Sequence, residues 1–314
     1  MKRVFLIENP VASRASERGR RRVLDTLRAD GCRIEHARTS GPGDAERLAA
    51  DAVAHGHEII AVYGGDGTVM QAVAGMRGSD AVLGVIPAGT GNLLAGNLRI
   101  PRNPVRAAAV IASGRPRTID LVRLETSDGA RFFAVGAGTG YDAEMMAATT
   151  HRQKRRWGFG AYIGFVLRTA HRIERRPVYV TVDGERTRHE AAMAIVANCA
   201  EIMPPLLRLG PDVAIDDGVL DLVILETGGV WGVGMAVLSL LLGRDTRRIR
   251  RRRGTDVRIE TDEPRPVQAD GDLCGETPLR ATMIAGGLTV MAPDDGSSGG
   301  SATRSGPCRA SRSR

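Results

Sequence analysis

Short apolar runs alternate with amphipathic stretches along the first third of the chain. The runs at 3–7, 58–63 and 84–87 have strand length and are rich in Val and Ile, and the more polar 33–37 reads as a further strand. Between them, residues 16–29, 43–54, 69–74 and 103–113 read as helices. In 43–54 the stripe Leu48, Ala49, Ala52, Val53 has helical spacing. Strand–helix alternation with short connections predicts a parallel sheet covered by helices. The texture changes near residue 120. Strands are predicted at 121–125, 131–137, 178–182, 191–197, 220–225, 257–260 and 288–291, interrupted by helical pieces at 143–167 and 230–242. The expected division is an α/β unit at 1–120, a β-rich unit at 121–293, and a Ser-, Gly- and Arg-rich disordered tail at 294–314.

Two of the predicted strands run straight into glycine loops. Gly64-Gly65-Asp66-Gly67-Thr68 follows the third strand, and Ala88-Gly89-Thr90-Gly91-Asn92 follows the fourth. Glycines let backbone approach a ligand closely, and the N–H groups at a helix start suit phosphate oxygens. Two such loops at strand carboxyl ends predict two lips of one crevice. Asp66 adds negative charge to an anion site. It fits there if a divalent cation shares the site, or if it caps the following helix.

Composition narrows the chemistry. The formal charge is +8, and of 44 basic residues only Lys2 and Lys154 are lysines. No Gly-x-x-x-x-Gly-Lys-Ser/Thr loop exists, so phosphate must be held by backbone N–H groups, Arg and metal. Aromatic residues are only 4% of the chain. That disfavours nucleic acid, whose bases need stacking platforms, and leaves an anionic membrane surface as the better partner for the basic charge. Cys32, Cys199, Cys274 and Cys308 show no paired or metal-ligand spacing, as in a reducing compartment. The apolar run at the N-terminus is too short for a signal peptide, and 230–242 is shorter than the ~20 residues that span a bilayer. The expected location is cytoplasmic, peripheral at the inner membrane face.

The paired loops resemble those of the diacylglycerol kinase catalytic-domain family, which includes bacterial soluble lipid kinases and the ceramide and sphingosine kinases. The Gly-Gly-Asp-Gly loop alone is shared with NAD kinases and phosphofructokinases. The resemblance covers roughly residues 3 to 293 and implies a three-layer α/β nucleotide-binding domain followed by a β-sandwich. It also implies an ATP- and Mg²⁺-dependent kinase acting on diacylglycerol or a related lipid alcohol. Carried over position by position, it puts nucleotide near Asn9, Thr39, Gly64, Gly65, Asp66, Gly67, Thr68, Gly89, Thr90, Gly91 and Asn92. It gives Asp142 a supporting place beside the site, with helix capping as the alternative. Asp216-Asp217-Gly218-Val219-Leu220-Asp221 resembles a motif that implies a structural Mg²⁺ held by Asp217 and by the backbone of Ala214 and Val219. A plain turn is the alternative. In Asp270-Gly271-Asp272, Asp272 stands where the family has a Glu as presumed general base. The same residues also read as a hairpin turn.

Four positions depart from the family pattern: Ala12-Ser13 after Asn9-Pro10, Met70-Gln71 after the first loop, Leu93 after the second, and Asp272 itself. They keep two other readings open, a non-catalytic nucleotide or lipid sensor and a soluble small-molecule kinase such as an NAD kinase. The basic face Arg18, Arg20, Arg21, Arg22 reads as a solvated helix surface. Basic residues at 152–156 beside Trp157, and the apolar stretch 230–242 followed by Arg244, Arg247, Arg248 and Arg250 to Arg253, fit a membrane surface. A buried helix flanked by a solvated loop is the alternative for 230–242. An exposed strand in the second domain would allow a homodimer.

Overall fold

The computed structural model describes residues 1–140, 143, 174–203, 207–208, 213–229, 231–232, 235–236, 239 and 248–294. Asp142, most of the helix expected at 143–167, the basic residues at 152–156, Arg244, Arg247 and the tail beyond Asp294 lie outside them. The first half builds β1 (Arg3–Glu8), α1 (Glu17–Ala29), β2 (Arg33–Arg38), α2 (Asp44–Ala54), β3 (Ile59–Gly64), α3 (Asp66–Met76), β4 (Val82–Pro87), α4 (Leu93–Asn97) and α5 (Pro104–Ser113). Caps set several ends. The Ser16 side chain accepts from Gly19 N–H at the start of α1, and Asn103 accepts from Val105 and Arg106 N–H at the start of α5.

The second half continues with β5 (Arg115–Thr126), β6 (Gly129–Phe133), β7 (Gly136–Gly140), β8 (Arg176–Val182), β9 (Glu185–Ala191), β10 (Met193–Ala197), β11 (Glu201–Met203) and β12 (Leu207–Arg208). It ends with β13 (Leu220–Leu225), β14 (Ile249–Gly254), β15 (Asp256–Thr261), β16 (Pro266–Ala269), β17 (Asp272–Glu276) and β18 (Leu279–Ala292).

Ten strands form one sheet, ordered β2-β1-β3-β4-β18-β15-β8-β9, with β5 on β18 and β6 on β5. The pairs β2–β1, β1–β3, β3–β4 and β4–β18 are parallel. Right-handed crossovers place α1 on one face of this part and α2 and α3 on the other. The contacts agree: α1 packs on α5, and α2 on α3. The three-layer expectation is met. Six antiparallel strands, β14-β13-β10-β7-β16-β17, form the second sheet. Val180, Ile259 and Leu279 of the large sheet pack against Val196, Leu222 and Val267 of the small one, closing the expected sandwich.

The sandwich shares a sheet with the α/β part. The 14-residue β18 runs parallel to β4 at Val290 and pairs with β5 along its length. Residue 120, where the texture of the sequence changes, lies inside β5. Only 288–291 of β18 reads as a strand, because Gly286 and Gly287 interrupt the pattern. Gly286 has φ 62° at a register shift between Ile284 and Leu288. The Asp120 carboxylate fills that bulge, accepting from Gly286 N–H at 2.8 Å. The Arg-rich stretch is a second departure. Arg250 to Arg253, expected at a membrane surface or in a solvated loop, lie in β14 and pair with β13. The heads of Arg250, Arg252 and Arg253 meet Glu226, Glu185, Asp217 and Asp221.

Candidate active site

Strand order 2-1-3-4 reverses direction between β1 and β3, so a crevice opens at the carboxyl ends of those two strands. Asn9 follows β1 there and Gly64 closes β3. Asn9 N–H donates to Tyr63 O (2.9 Å), and its Nδ2 donates to Thr68 Oγ1 (2.8 Å), so the two strand ends are tied together. Thr39 follows β2 beside them, its N–H on Glu8 O at 2.9 Å.

The motif expected as a loop is mostly helix. Gly64 closes β3, Gly65 alone turns the chain, and α3 starts at Asp66. No side chain caps α3, so its first N–H groups remain available at the crevice. The second glycine loop meets the first directly. A Cβ on Gly89 would stand 2.7 Å from the Gly65 Cα, and one on Gly65 would stand 3.2 Å from the Gly89 Cα. Only glycine permits that approach. Asn92, at φ 51°, clips its own loop: Oδ1 accepts from Gly89 N–H and Nδ2 donates to Gly89 O, both at 2.8 Å. Its amide is therefore committed to shaping the loop. Thr90 Oγ1 lies 3.3 Å from Ser13 Oγ, which brings the segment after β1 over the same lip.

Asp66 does not cap its own helix. It accepts from Leu93 N–H at 2.7 Å, at the start of α4, and so ties one lip to the other. It is one of three neighbouring acids, with Asp270 and Asp272. Asp270 Oδ2 accepts from Ala134 N–H, and its Oδ1 from Val135 and Gly136 N–H, each at 3.0 Å. These bonds account for the break between β6 and β7, where the sequence predicts one strand at 131–137. The N–H groups there serve a carboxylate instead of a ladder. Asp270 (φ 46°) and Gly271 (φ 89°) make the two-residue turn of the β16–β17 hairpin, so the hairpin alternative is realised as well. Asp272 begins β17, and its Oδ2 lies 2.7 Å from where a Cβ on Gly67 would be. The hairpin thus carries its carboxylate to the first turn of α3.

Electrostatics follow from crowding. Burial, then the charge of Asp270, pushes Asp66 up to about 7, against the lowering effect of the α4 N–H groups. Burial pushes Asp270 up to about 6 despite its three N–H donors, and the charge of Asp272 adds to the rise. Among the described residues, no three His, Cys, Asp or Glu side chains form a ready cation cage. The raised pair Asp66 and Asp270 still suits a cation that arrives with its ligand, since a positive charge would relieve both.

Asn9, Thr68, Gly64, Gly65, Asp66, Gly67, Gly89, Gly91, Asn92 and Asp272 are thus brought into one cluster. The expected metal turn has other neighbours. Asp217 meets Arg253 and Val219 N–H, and Asp120 accepts from Gly218 N–H at 2.7 Å. On the basic face of α1, Arg18, Arg21 and Arg22 are exposed as expected, and Arg20 is the departure. Arg20 turns onto the buried Glu8 (3.4 Å), which Arg38 holds at 2.9 Å. Asp270 and Asn198 are the residues the sequence reading missed. Asn198 Nδ2 donates to Ala134 O at 2.9 Å and steadies the segment that grips Asp270. An aspartate before glycine in a hairpin gave only a turn signal.

Comparison with known proteins settles the family. The family described as diacylglycerol kinase catalytic domain matches residues 3–124. The YegS C-terminal NAD kinase beta sandwich-like domain matches residues 135–292. The chain belongs to the diacylglycerol kinase catalytic-domain family. It is 30% identical to a diacylglycerol kinase of Mycobacterium tuberculosis over 81% of this chain and 82% of that one. It is 27% identical to a diacylglycerol kinase of Bacillus subtilis over 94% and 98%. It spans only 56% of a longer Synechocystis relative, at 26% identity. A crystal structure of a diacylglycerol kinase from Bacillus anthracis aligns with TM-score 0.71 and 25% identity over 93% of this chain and 97% of that one.

Proposed function

We propose that this protein transfers the γ-phosphate of ATP to the hydroxyl of diacylglycerol or a related lipid alcohol. Phosphoryl transfer asks the protein for positioning and charge stabilisation, with little covalent help. The uncapped start of α3 offers N–H donors, and the Gly65–Gly89 contact lets backbone come close to phosphate on both sides. Mg²⁺ carried by the triphosphate would neutralise its charge and be met by Asp66. Asp272 accepts the hydroxyl proton as the lipid oxygen attacks. The observation that supports this reading is the position of the Asp272 carboxylate against Gly67: an acid from the C-terminal half at the mouth of an N-terminal phosphate site.

The test is incubation with ATP, Mg²⁺ and a total lipid extract, with mass analysis of products. Phosphorylated lipid alcohol is expected, and Asp272→Asn should abolish it. Transfer to NAD with none to any lipid would overturn the assignment.

The acceptor lives in a bilayer, so the protein works at a surface. Among the described residues no helix is long and apolar enough to cross a membrane. Trp231 (88% exposed) and Met235 (44% exposed) share one face of a helical segment, four residues apart. Ala236 of the same segment packs in a cluster with Ile249 of the Arg-bearing β14. An exposed indole suits the interfacial zone of a bilayer, and the chain's formal charge of +8 suits its anionic inner face.

A further inference from the structure

The family resemblance gives the Asp217 turn a divalent ion, held by that carboxylate and by the backbone of Ala214 and Val219. In this chain the carboxylate already has partners. Asp217 Oδ2 accepts from Arg253 Nη2, and its Oδ1 accepts from Val219 N–H at 3.2 Å. The same guanidinium reaches a second acid, with Nε 3.3 Å from Asp221 Oδ1. The adjacent Asp216 is held by Arg117 at 2.8 Å. Gly218 N–H goes to Asp120, which also binds the β18 bulge at Gly286.

Arg253 is fixed by the ladder. The register of β14 on β13 puts it directly opposite Asp221, so the two share a face of the sheet. A hard cation here needs about six oxygen ligands in near-octahedral array. It would have to expel the guanidinium from Asp217 or sit against its positive charge. The donor set therefore does not fit a divalent ion as it fits Arg253.

We propose that Arg253 is the resident counter-cation of the Asp217 turn, standing where the family resemblance gives a metal, so that this turn folds without one. The consequence is that any Mg²⁺ requirement of the protein belongs to its nucleotide alone.

The experiment uses the full-length chain, free of nucleotide. In a first arm, Mn²⁺ is titrated calorimetrically into wild type and Asp217→Asn after EDTA treatment. Identical binding in the two is expected. A saturable Mn²⁺ site present in wild type and lost in Asp217→Asn would overturn the proposal. In a second arm, thermal unfolding in EDTA compares wild type with Arg253→Gln. A Tm lower by about 1–3 °C is expected for the variant, because two carboxylates lose a shared cation at a partly exposed site. Equal Tm values would also overturn the proposal. If Arg253→Gln does not fold, the first arm decides alone, since it leaves Arg253 in place.

Discussion

Asp66 and Asp270 are pushed up to about 7 and about 6, chiefly by burial, from unfolded values near ~4. The sign of the consequence is fixed by linkage. Between about pH 4 and 7 the folded state keeps protons that the unfolded chain releases, so stability from these groups falls as pH rises. Asp66→Asn removes its share. Urea unfolding of the nucleotide-free protein at pH 5 and pH 8 should show the variant gaining on wild type at the higher pH. A constant difference would mean Asp66 ionises as it does in water. Gly67 sets a steric limit beside it. In Gly67→Ala the new Cβ would press on Asp272 Oδ2 at 2.7 Å, while alanine suits a first helical turn. Activity should fall about 100-fold with the fold intact, because a misplacement near 1 Å at the reacting centre costs that much. Circular dichroism beside the lipid kinase assay checks both halves. Restoring the longer acid, Asp272→Glu, should leave activity within about tenfold of wild type, whereas Asp272→Asn removes the proton acceptor.

Elements were legible where their periodicity was strong and their ends were capped. Ser16 and Asn103 start α1 and α5 where expected, and the apolar runs of β1, β3 and β4 lie in the sheet. Elements built on polar residues were not legible. β9 alternates mostly charged residues at a sheet edge, and β14 hides an isoleucine among arginines whose heads find acids on neighbouring strands. Neither has an apolar period, because the surroundings supply the partners. Helix packing sets a further limit at Gly75. A Cβ there would lie 2.1 Å from the Glu46 carbonyl oxygen, so α2 touches α3 through bare backbone. Gly75→Ala should destabilise by about 1–3 kcal/mol, since overpacking outweighs the helix-propensity gain. Denaturant titration measures it, and a neutral or stabilising result would show that α2 moves freely.

At the scale of the whole molecule, the site exists because the chain returns. β18 carries the C-terminal strand back beside β4, and the β16–β17 hairpin delivers Asp270 and Asp272 to a crevice made by β1, β3 and α3. The proposed lipid acceptor would bring the same molecule to a bilayer surface. Vesicles containing anionic lipid should co-sediment the protein, neutral vesicles far less, and salt should weaken the binding by screening. Trp231→Ala should reduce anionic-vesicle binding several-fold without changing Tm. Equal binding to neutral and anionic vesicles would remove the electrostatic part of that reading.

The residue order alone determined the strand–helix alternation, the two glycine loops and the family likeness, because hydrophobic period and glycine placement are local properties. The tertiary structure decided that the loops touch at Gly65 and Gly89. It also decided that Asp66 caps the neighbouring helix instead of its own, and that Asp270 breaks a strand to be held. It placed Arg253 where a metal was expected. Each of these joins residues far apart in the chain, and a contact of that kind depends on sheet order and register, which no local pattern encodes.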